Sequence, residues 1–117
     1  MLIGALSKKI GVSVDTIRFY EKKGLIKYTT VTENNYRHYD ESVAHKLTSI
    51  LQAKALGFSL REIRELSDLT DNNYLSSSER NKILDDKIMD IDEKIHQLEE
   101  MKNRLLSKKE EVKKGKC

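Results

Sequence analysis

An apolar stripe in the C-terminal third constrains the fold of this 117-residue chain more than any other feature. From Leu84 onward, apolar residues recur mostly at spacings of three or four, close to the repeat of about 3.5 residues in paired helices. The capping-box pattern of Ser76 and Glu79 predicts the start of this helix, which then runs for about 50 Å. A stripe this narrow on so long a helix requires a partner helix. The apolar stripe comprises Leu84, Ile88, Ile91, Ile95, Leu98, Met101, Leu105 and Val112.

The charges along this predicted helix favour an antiparallel pairing of two copies. Residues 79–100 carry four basic and eight acidic side chains, whereas residues 101–117 carry seven basic and two acidic ones. A parallel pair would place like charges together, while an antiparallel pair places each acidic half against a basic half. One exposed ion pair contributes only about 0–1 kcal/mol, but many like-charge contacts accumulate. The pattern predicts an antiparallel coiled coil in a two-fold homodimer, and a helix folded back on its own domain is the alternative.

The composition excludes several classes of protein. No run approaches the roughly 20 apolar residues of a membrane span, and the N-terminus lacks the apolar core of a secretory signal. The single cysteine, Cys117, excludes an internal disulfide framework and is typical of a reducing cytoplasm. The net charge is only +3, but residues 1–40 carry seven basic and four acidic side chains. We expect a cytoplasmic protein whose positive charge lies mainly at its N-terminal end.

The first 24 residues have the pattern of two short helices joined by a tight turn. Apolar residues recur at helical spacing until Gly11, which ends the first helix, and Ser13 is a natural N-cap for the second. Gly24 ends the second helix, after two lysines in its last turn. Two helices joined by a turn containing glycine predict a helix-turn-helix unit. The apolar positions of the first helix are Leu2, Ile3, Leu6 and Ile10.

A small hairpin and a second pair of helices are predicted next. Ile26–Thr30 and Asn35–Tyr39 are β-rich runs separated by polar residues, the pattern of a β-hairpin. Asp40 caps a longer helix, and Gly57 ends it. The chain is thus predicted to be mainly α, with a small β-hairpin wing beside the helix-turn-helix.

The linker between the two parts of the chain is predicted from composition. Ser59 and Glu62 form a capping box for a further short helix. The segment Ser67–Ser78 is rich in Ser, Asn and Asp, which indicates a loop. These signals divide the chain into a DNA-binding domain at residues 1–75, a dimerisation helix at residues 76–112 and a basic tail at residues 113–117.

The second helix of the helix-turn-helix has one packing side and one polar side. On a helical wheel, Val14, Ile17 and Glu21 cluster inward, where they can pack on the first helix. The opposite side offers a carboxylate, a hydroxyl, an aromatic ring and two amines, which suits the floor and phosphate walls of a DNA major groove. Arg18 and Tyr20 leave from the flanks, where they can reach backbone oxygens. The outward residues are Asp15, Thr16, Phe19, Lys22 and Lys23.

Two other classes of function compete with DNA binding. An enzyme has little support, because no Gly-rich phosphate loop, nucleophile triad or paired-carboxylate arrangement occurs in the sequence. The second alternative is a coiled-coil interaction module whose helix-turn-helix is vestigial. The salt dependence of DNA affinity separates these hypotheses, because a protein that contacts phosphates loses affinity steeply as salt rises.

Three motifs in this order resemble the MerR (mercury-resistance regulator) family of bacterial transcription regulators. They are "IGALSKKIGVSVDTIRFYEKKGLI", "TENNYRHYD" and "LQAKALGFSLREIREL". The match runs from Ile3 to about Leu66, and the long helix that follows also suits the family. The resemblance implies a winged helix-turn-helix, a second helix pair that braces the wing, and an antiparallel coiled-coil homodimer. It also implies binding to an inverted-repeat operator within a promoter spacer. The bound protein would distort the double-stranded DNA so that RNA polymerase can engage both promoter elements.

The resemblance also assigns roles to single residues. Arg18, Phe19 and Tyr20 match the family's motif for DNA contact, and Arg37 and Tyr39 of the wing would touch the phosphate backbone. Leu56, Gly57, Phe58, Ser59 and Ile63 match the second helix pair. The full set of candidate DNA contacts is Ser13, Asp15, Thr16, Arg18, Phe19, Tyr20, Lys22, Lys23, Asn35, Tyr36, Arg37 and Tyr39.

The sequence departs from the family pattern in the wing. The family usually has glycine where Asn35 stands, but asparagine tolerates positive φ better than most residues, so the turn can survive. The family often has prolines after the recognition helix, and Lys27–Thr32 has none. We therefore expect a looser wing.

The sequence does not identify an effector or a cofactor. A thiolate metal site usually needs at least two protein ligands, and Cys117 stands alone, so no metal or cofactor is predicted. Cys117 is a possible redox site, and a tail thiol without function is the alternative that we favour. His38, His45 and His96 lack partners at metal-ligand spacing and are predicted to be solvated.

Overall fold

The computed structural model describes residues 1–71 and 75–115. Their elements run α1 (Ile3–Ile10), α2 (Val14–Lys22), β1 (Thr30–Val31), β2 (Arg37–His38), α3 (Glu41–Ala55), α4 (Leu60–Asp71) and α5 (Ser77–Lys113). The chain divides into two compact units, Met1–Tyr74 and Leu75–Cys117. This architecture confirms the predicted class, a mainly α chain with a small hairpin and a long C-terminal helix. No described helix is both long and apolar enough to cross a membrane.

The two helices of the helix-turn-helix end where the sequence predicts. Gly11 follows α1 in the left-handed conformation, with φ of 81°. The Ser13 side chain accepts a hydrogen bond from the Thr16 amide at 3.1 Å, which confirms Ser13 as the N-cap of α2. At the other end, Gly24 has φ of 76°, and the Leu25 amide donates to the Tyr20 carbonyl. This arrangement satisfies carbonyls that the helix end would leave unpaired.

The wing is a two-stranded antiparallel hairpin that is shorter than predicted. Thr30 pairs with His38 and Val31 with Arg37, so each strand holds two residues instead of the predicted five. Asn35 has φ of 67° at the tip, which confirms that asparagine takes the conformation usually left to glycine. Other residues of the predicted strands lie outside the hairpin, and two of them, Ile26 and Tyr39, are buried in the core.

The core of the first unit is built from α1, α2, the wing ends, α3 and the start of α4. Leu6, Ile17 and Leu47 have no exposed surface, and Tyr39 is equally buried. Burying such side chains is the main favourable term for a domain of this size. The remaining buried apolar residues are Tyr20, Leu25, Ile26, Val43, Ala44, Ile50, Phe58 and Ile63.

The α4 helix is longer than the sequence indicates. The predicted loop at Ser67–Ser78 is wrong in part, because α4 continues to Asp71 and α5 already begins at Ser77. Ser and Asp are only mildly unfavourable inside helices, and the half-buried Leu66 and Ser67 extend the packed face of α4. Residues 72–74 of that predicted loop lie outside the described residues.

The capping signals of the later helices are confirmed. The Ser59 amide donates to Glu62 Oε1 at 3.0 Å, and the Glu62 amide donates to Ser59 Oγ at 3.1 Å, which completes the capping box. Ser76 accepts from the Glu79 amide at 3.1 Å and starts α5. The α5 helix then runs for 37 residues, or about 55 Å.

Asp40 gives a pH-dependent prediction for α3. Its carboxylate accepts from Ser42 Oγ at 2.5 Å and from the Val43 amide at 3.3 Å. The bond from Ser42 is the main cause that lowers the pKa of Asp40 below its ordinary 3.8, and the Val43 amide adds to it. A lowered pKa means that the stabilisation is complete above the ordinary value and is lost as the pH falls through the lowered one.

The variant Asp40→Asn tests this titration, because an asparagine side chain can still cap α3 but carries no charge. We expect the melting temperature of wild type to exceed that of Asp40→Asn near neutral pH, and the difference to shrink below about pH 4. Thermal unfolding of the two proteins across the acid range measures the difference. A constant difference over that range would contradict this role.

Candidate nucleic-acid interface

The outward side of α2 carries polar and aromatic groups on a rigid support. Ile17 and Tyr20 are buried beneath it, so α2 is fixed to the core from one side. Asp15, Lys22 and Lys23 are exposed, and Thr16 is half-buried, with its hydroxyl 2.8 Å from the Oγ atom of the N-cap serine. A fixed helix with this exposed side has the form of a recognition helix.

Phe19 is the exposed aromatic residue of this side. It retains 44% of its surface, and Lys23 Nζ lies 5.6 Å from its ring centroid. Its ring also meets Tyr20 edge-on at 5.4 Å. These neighbours flank the Phe19 ring, so an apolar edge and a cation are presented together. That pair can meet a thymine methyl group and the adjacent phosphate.

The structure corrects the prediction for Tyr20. Its side chain is only 5% exposed, whereas the sequence places it on the flank in reach of the DNA backbone. Tyr20 follows the buried Ile17 by three residues, so both lie on one face of α2. Of the two flank residues of α2, Arg18 is exposed and Tyr20 is buried.

The wing presents a polar tip beside this helix. Tyr36 is 61% exposed, and Asn35 is also exposed. The tip is held by its own hydrogen bonds, from the Asn35 amide to the Thr32 carbonyl at 2.9 Å and from the Tyr36 amide to Thr32 Oγ1 at 3.1 Å. A small closed turn carrying an aromatic and an amide side chain suits contact with a sugar–phosphate backbone.

A carboxylate of α2 ties the wing to the recognition helix. Arg37 Nη1 donates to Glu21 Oε2 at 2.9 Å, and the Tyr39 hydroxyl lies 3.1 and 3.2 Å from the two oxygens of the same carboxylate. The nearby Glu21 charge raises the pKa of Arg37, so its guanidinium stays charged. Burial and the Glu21 charge raise the pKa of Tyr39, so its hydroxyl stays a donor.

This network corrects the prediction for Tyr39 and refines the one for Arg37. Tyr39 has no exposed surface, so it packs in the core and donates to Glu21 instead of touching a phosphate. The Arg37 side chain keeps 56% of its surface, and its guanidinium lies 5.0 Å from the centroid of the Tyr28 ring. Arg37 is thus held from two sides while much of it faces solvent.

Two residues of this surface were not predicted. Glu21 appears in the sequence only as an inward-facing residue of α2, and Tyr28 lies in a segment predicted as strand. The polar character of Glu21 on an otherwise apolar side was the available signal, because a carboxylate that faces a core needs donors. The sequence does not say which donors would be brought to it.

The second helix pair supports the end of the recognition helix. The Arg64 guanidinium of α4 donates to the backbone carbonyl of Lys23. Phe58 and Ile63 are buried, whereas Leu56 is 60% exposed. This bond joins the second helix pair to the carboxyl end of α2 and not to the wing, so bracing of the wing by that pair stays a prediction.

The apolar stripe of α5 is exposed along its whole length. Its eight residues retain between 41% (Ile91) and 70% (Val112) of their surface. Such a series of exposed aliphatic side chains is typical of a protein–protein interface. Leu106 is exposed beside the stripe residues Leu105 and Val112, whereas Met89 is exposed on the opposite side of the helix.

The described histidines form no metal site. Within that part of the chain, no group of three or more His, Cys, Asp or Glu side chains is arranged to hold a metal ion. His45 and His96 are exposed, and His96 Nε2 lies 3.3 Å from Glu100. Cys117, the possible redox residue, lies outside the described residues.

An exposed recognition helix, a hairpin wing and cationic side chains together define a winged helix-turn-helix protein. Family models agree with this class. "MerR HTH family regulatory protein" matches residues 1–69, and "MerR, DNA binding" matches residues 44–108. The chain belongs to the MerR family of helix-turn-helix regulatory proteins.

Individual relatives lead to the same family. The chain is 36% identical to the Haemophilus influenzae "HTH-type transcriptional regulator ZntR homolog", over 96% of this chain and 83% of that protein. It is also 36% identical to the "HTH-type transcriptional regulator CueR" of Salmonella typhi, over 92% of this chain and 78% of that protein. The crystal structure of PbrR691 from Ralstonia metallidurans, in complex with lead(II), has a TM-score of 0.81 and 36% identity. It covers 92% of this chain and 84% of PbrR691. These relatives are transcription regulators, not enzymes.

Proposed function

We propose that the chain acts in the cytoplasm as a homodimeric transcription regulator that binds an inverted-repeat operator within a promoter. The recognition helix and wing of each copy would contact one half-site, and RNA polymerase would respond to the distortion of the bound DNA. The observation that carries this proposal is the common surface of α2 and the wing, where Phe19, Lys23 and Arg37 are exposed on a fixed support. Family membership supports the same conclusion.

Dimerisation through α5 is the second part of the proposal. Every residue of the apolar stripe is exposed in the single chain, so pairing with a second stripe would remove a large apolar area from water. The acidic first half and basic second half of α5 favour the antiparallel arrangement. Two copies related by a two-fold axis match the symmetry of an inverted repeat. We propose that the described part of the second unit is the dimerisation element and the first unit the DNA-binding element.

The salt dependence of affinity tests whether the α2 and wing surface contacts phosphates. Purified protein is titrated into a fluorescent duplex of random sequence at salt concentrations between about 50 and 200 mM. A protein that neutralises several phosphates loses affinity steeply and log-linearly over this range. An interaction module with a vestigial DNA-binding domain would show weak binding without a defined slope.

Arg37→Ala gives a sharper expectation for one phosphate contact. The Arg37 side chain is charged and more than half exposed, so its loss should weaken binding to every sequence and lower the salt slope by about one. The matched control is Arg61→Ala on α4, whose side chain is 90% exposed and whose Nε lies 3.6 Å from Glu65 Oε1. An unchanged affinity and slope in Arg37→Ala would remove Arg37 from the interface.

A further inference from the structure

We infer that Glu21 is a positioning residue that fixes the wing against the recognition helix. This inference rests on the proposed function, because it concerns how the two DNA-contacting elements are held at one spacing. The observation is that one carboxylate on α2 accepts from two residues of the wing segment, Arg37 and Tyr39. Glu21 lies on the inner side of α2 and would not itself touch DNA.

The wing needs such an anchor because its strands are too short to define its position. Each strand holds two residues, and an isolated two-stranded hairpin is at best marginally stable in water. Tertiary contacts therefore decide where the hairpin lies. The bond from the Asp40 amide to Thr29 Oγ1, at 3.1 Å, closes the base of the hairpin but does not join it to α2. Two bonds between the Tyr39 backbone and Met1, each 2.7 Å, tie the end of the wing to the N-terminus but also do not reach α2. The Glu21 network makes that connection.

The geometry of the network is suited to positioning. The Glu21 side chain is only 12% exposed, so its bonds are screened less by solvent than surface pairs are. Tyr39 is fully buried, and its hydroxyl donates to the Glu21 carboxylate from the core side. Arg37 then lies between Glu21 and the face of Tyr28. These two contacts fix the position of the Arg37 side chain, part of which remains exposed to solvent.

The negative charge of Glu21 lets a positioning role be distinguished from a purely electrostatic effect on DNA binding. A carboxylate beside a DNA-binding surface repels phosphates, so its removal alone should strengthen binding to any sequence. A positioning role predicts weaker binding to the inverted repeat, because contact with each half-site depends on the position of the wing. Specific and non-specific affinity should therefore respond differently to substitution.

Glu21→Asp is the decisive variant, because it keeps the charge and shortens the side chain by one methylene. The probes are a duplex with the inverted repeat that wild type selects, and a scrambled duplex of equal length and composition. We expect about tenfold weaker binding to the repeat, as for loss of a hydrogen bond to a charged group, with little change for the scrambled duplex. Glu21→Gln should also weaken binding to the repeat, but should leave or strengthen binding to the scrambled duplex.

Glu65→Asp and Glu65→Gln are the matched controls, because Glu65 is an exposed carboxylate on α4. Both should bind the two duplexes as wild type does. Wild-type binding by Glu21→Asp to both duplexes would overturn the inference. Equal losses on both duplexes with a lowered melting temperature would do the same, since they would show a general structural role.

Hydrogen exchange tests the anchor without DNA. The amides of Thr29 and Thr32 donate to the His38 and Tyr36 carbonyls across the hairpin. We expect their exchange to be about tenfold faster in Glu21→Asp, while amides within α3 keep their protection. Unchanged hairpin exchange would overturn the inference. If wild type selects no DNA, the proposed function fails while this measurement still decides the role of Glu21.

Discussion

Ile91→Lys should convert the protein to a monomer that no longer binds its operator at working concentrations. Ile91 is the third of the eight residues of the apolar stripe and the least exposed of them. A dimer through this stripe would bury two lysine ammonium groups without partners, which costs several kcal/mol per ion. Because both half-sites are needed for tight binding, we expect operator affinity to fall at least about a hundredfold. Sedimentation equilibrium and operator titration measure the two effects.

Met89→Lys is the matched control for this prediction. Met89 is 68% exposed and lies two residues before Ile91, away from the line of the stripe. The substitution adds the same charge to the same helix, so it should leave the dimer and operator binding intact. If Ile91→Lys sediments as a dimer, or if both variants become monomers, the stripe is not the dimer interface.

Ile17→Ala should destabilise the DNA-binding unit by about 2–5 kcal/mol, the range for truncating a large buried aliphatic side chain. Ile17 has no exposed surface and holds α2 on the core. Small domains have only about 5–15 kcal/mol of stability, so the variant should unfold at a markedly lower urea concentration. Operator binding should fall with it.

Thr16→Ala separates the packing side of α2 from its reading side. Thr16 is the neighbouring residue, and its hydroxyl lies 2.8 Å from Oγ of Ser13, the N-cap of α2. We expect its stability to stay within about 0.5 kcal/mol of wild type, while the preferred bases of the operator change. A large stability loss in Thr16→Ala, or none in Ile17→Ala, would reverse the assigned sides of the helix.

Local signals in the sequence predict the elements of the fold well. Ser13, Asp40 and Ser76 cap the helices that the sequence predicts them to cap, and Gly24 ends α2. These signals succeed because a cap or a left-handed glycine depends on a few adjacent residues. The predicted end of α4 is wrong because packing of its face outweighs the weak helix propensity of Ser and Asp.

The candidate interface could be predicted only in part, because it depends on contacts between distant residues. The outward side of α2 follows from helical periodicity, but the Tyr39–Glu21 bond joins residues 18 positions apart. Tyr39 and Tyr20 carry polar hydroxyls at positions that the family motif associates with DNA, yet both are buried. Only the folded structure shows that these tyrosines are buried beneath the candidate interface, where Tyr20 packs against Phe19 and Tyr39 donates to Glu21.

Sequencing the genomic fragments that the protein retains tests the regulator account most directly. Purified protein is incubated with sheared genomic DNA of the organism that encodes it, and the bound fragments are sequenced at low and moderate salt. We predict enrichment of an inverted repeat between two promoter elements, with Ile91→Lys enriching nothing. Retention of no sequence at low salt, or equal retention of all sequences, would contradict the account.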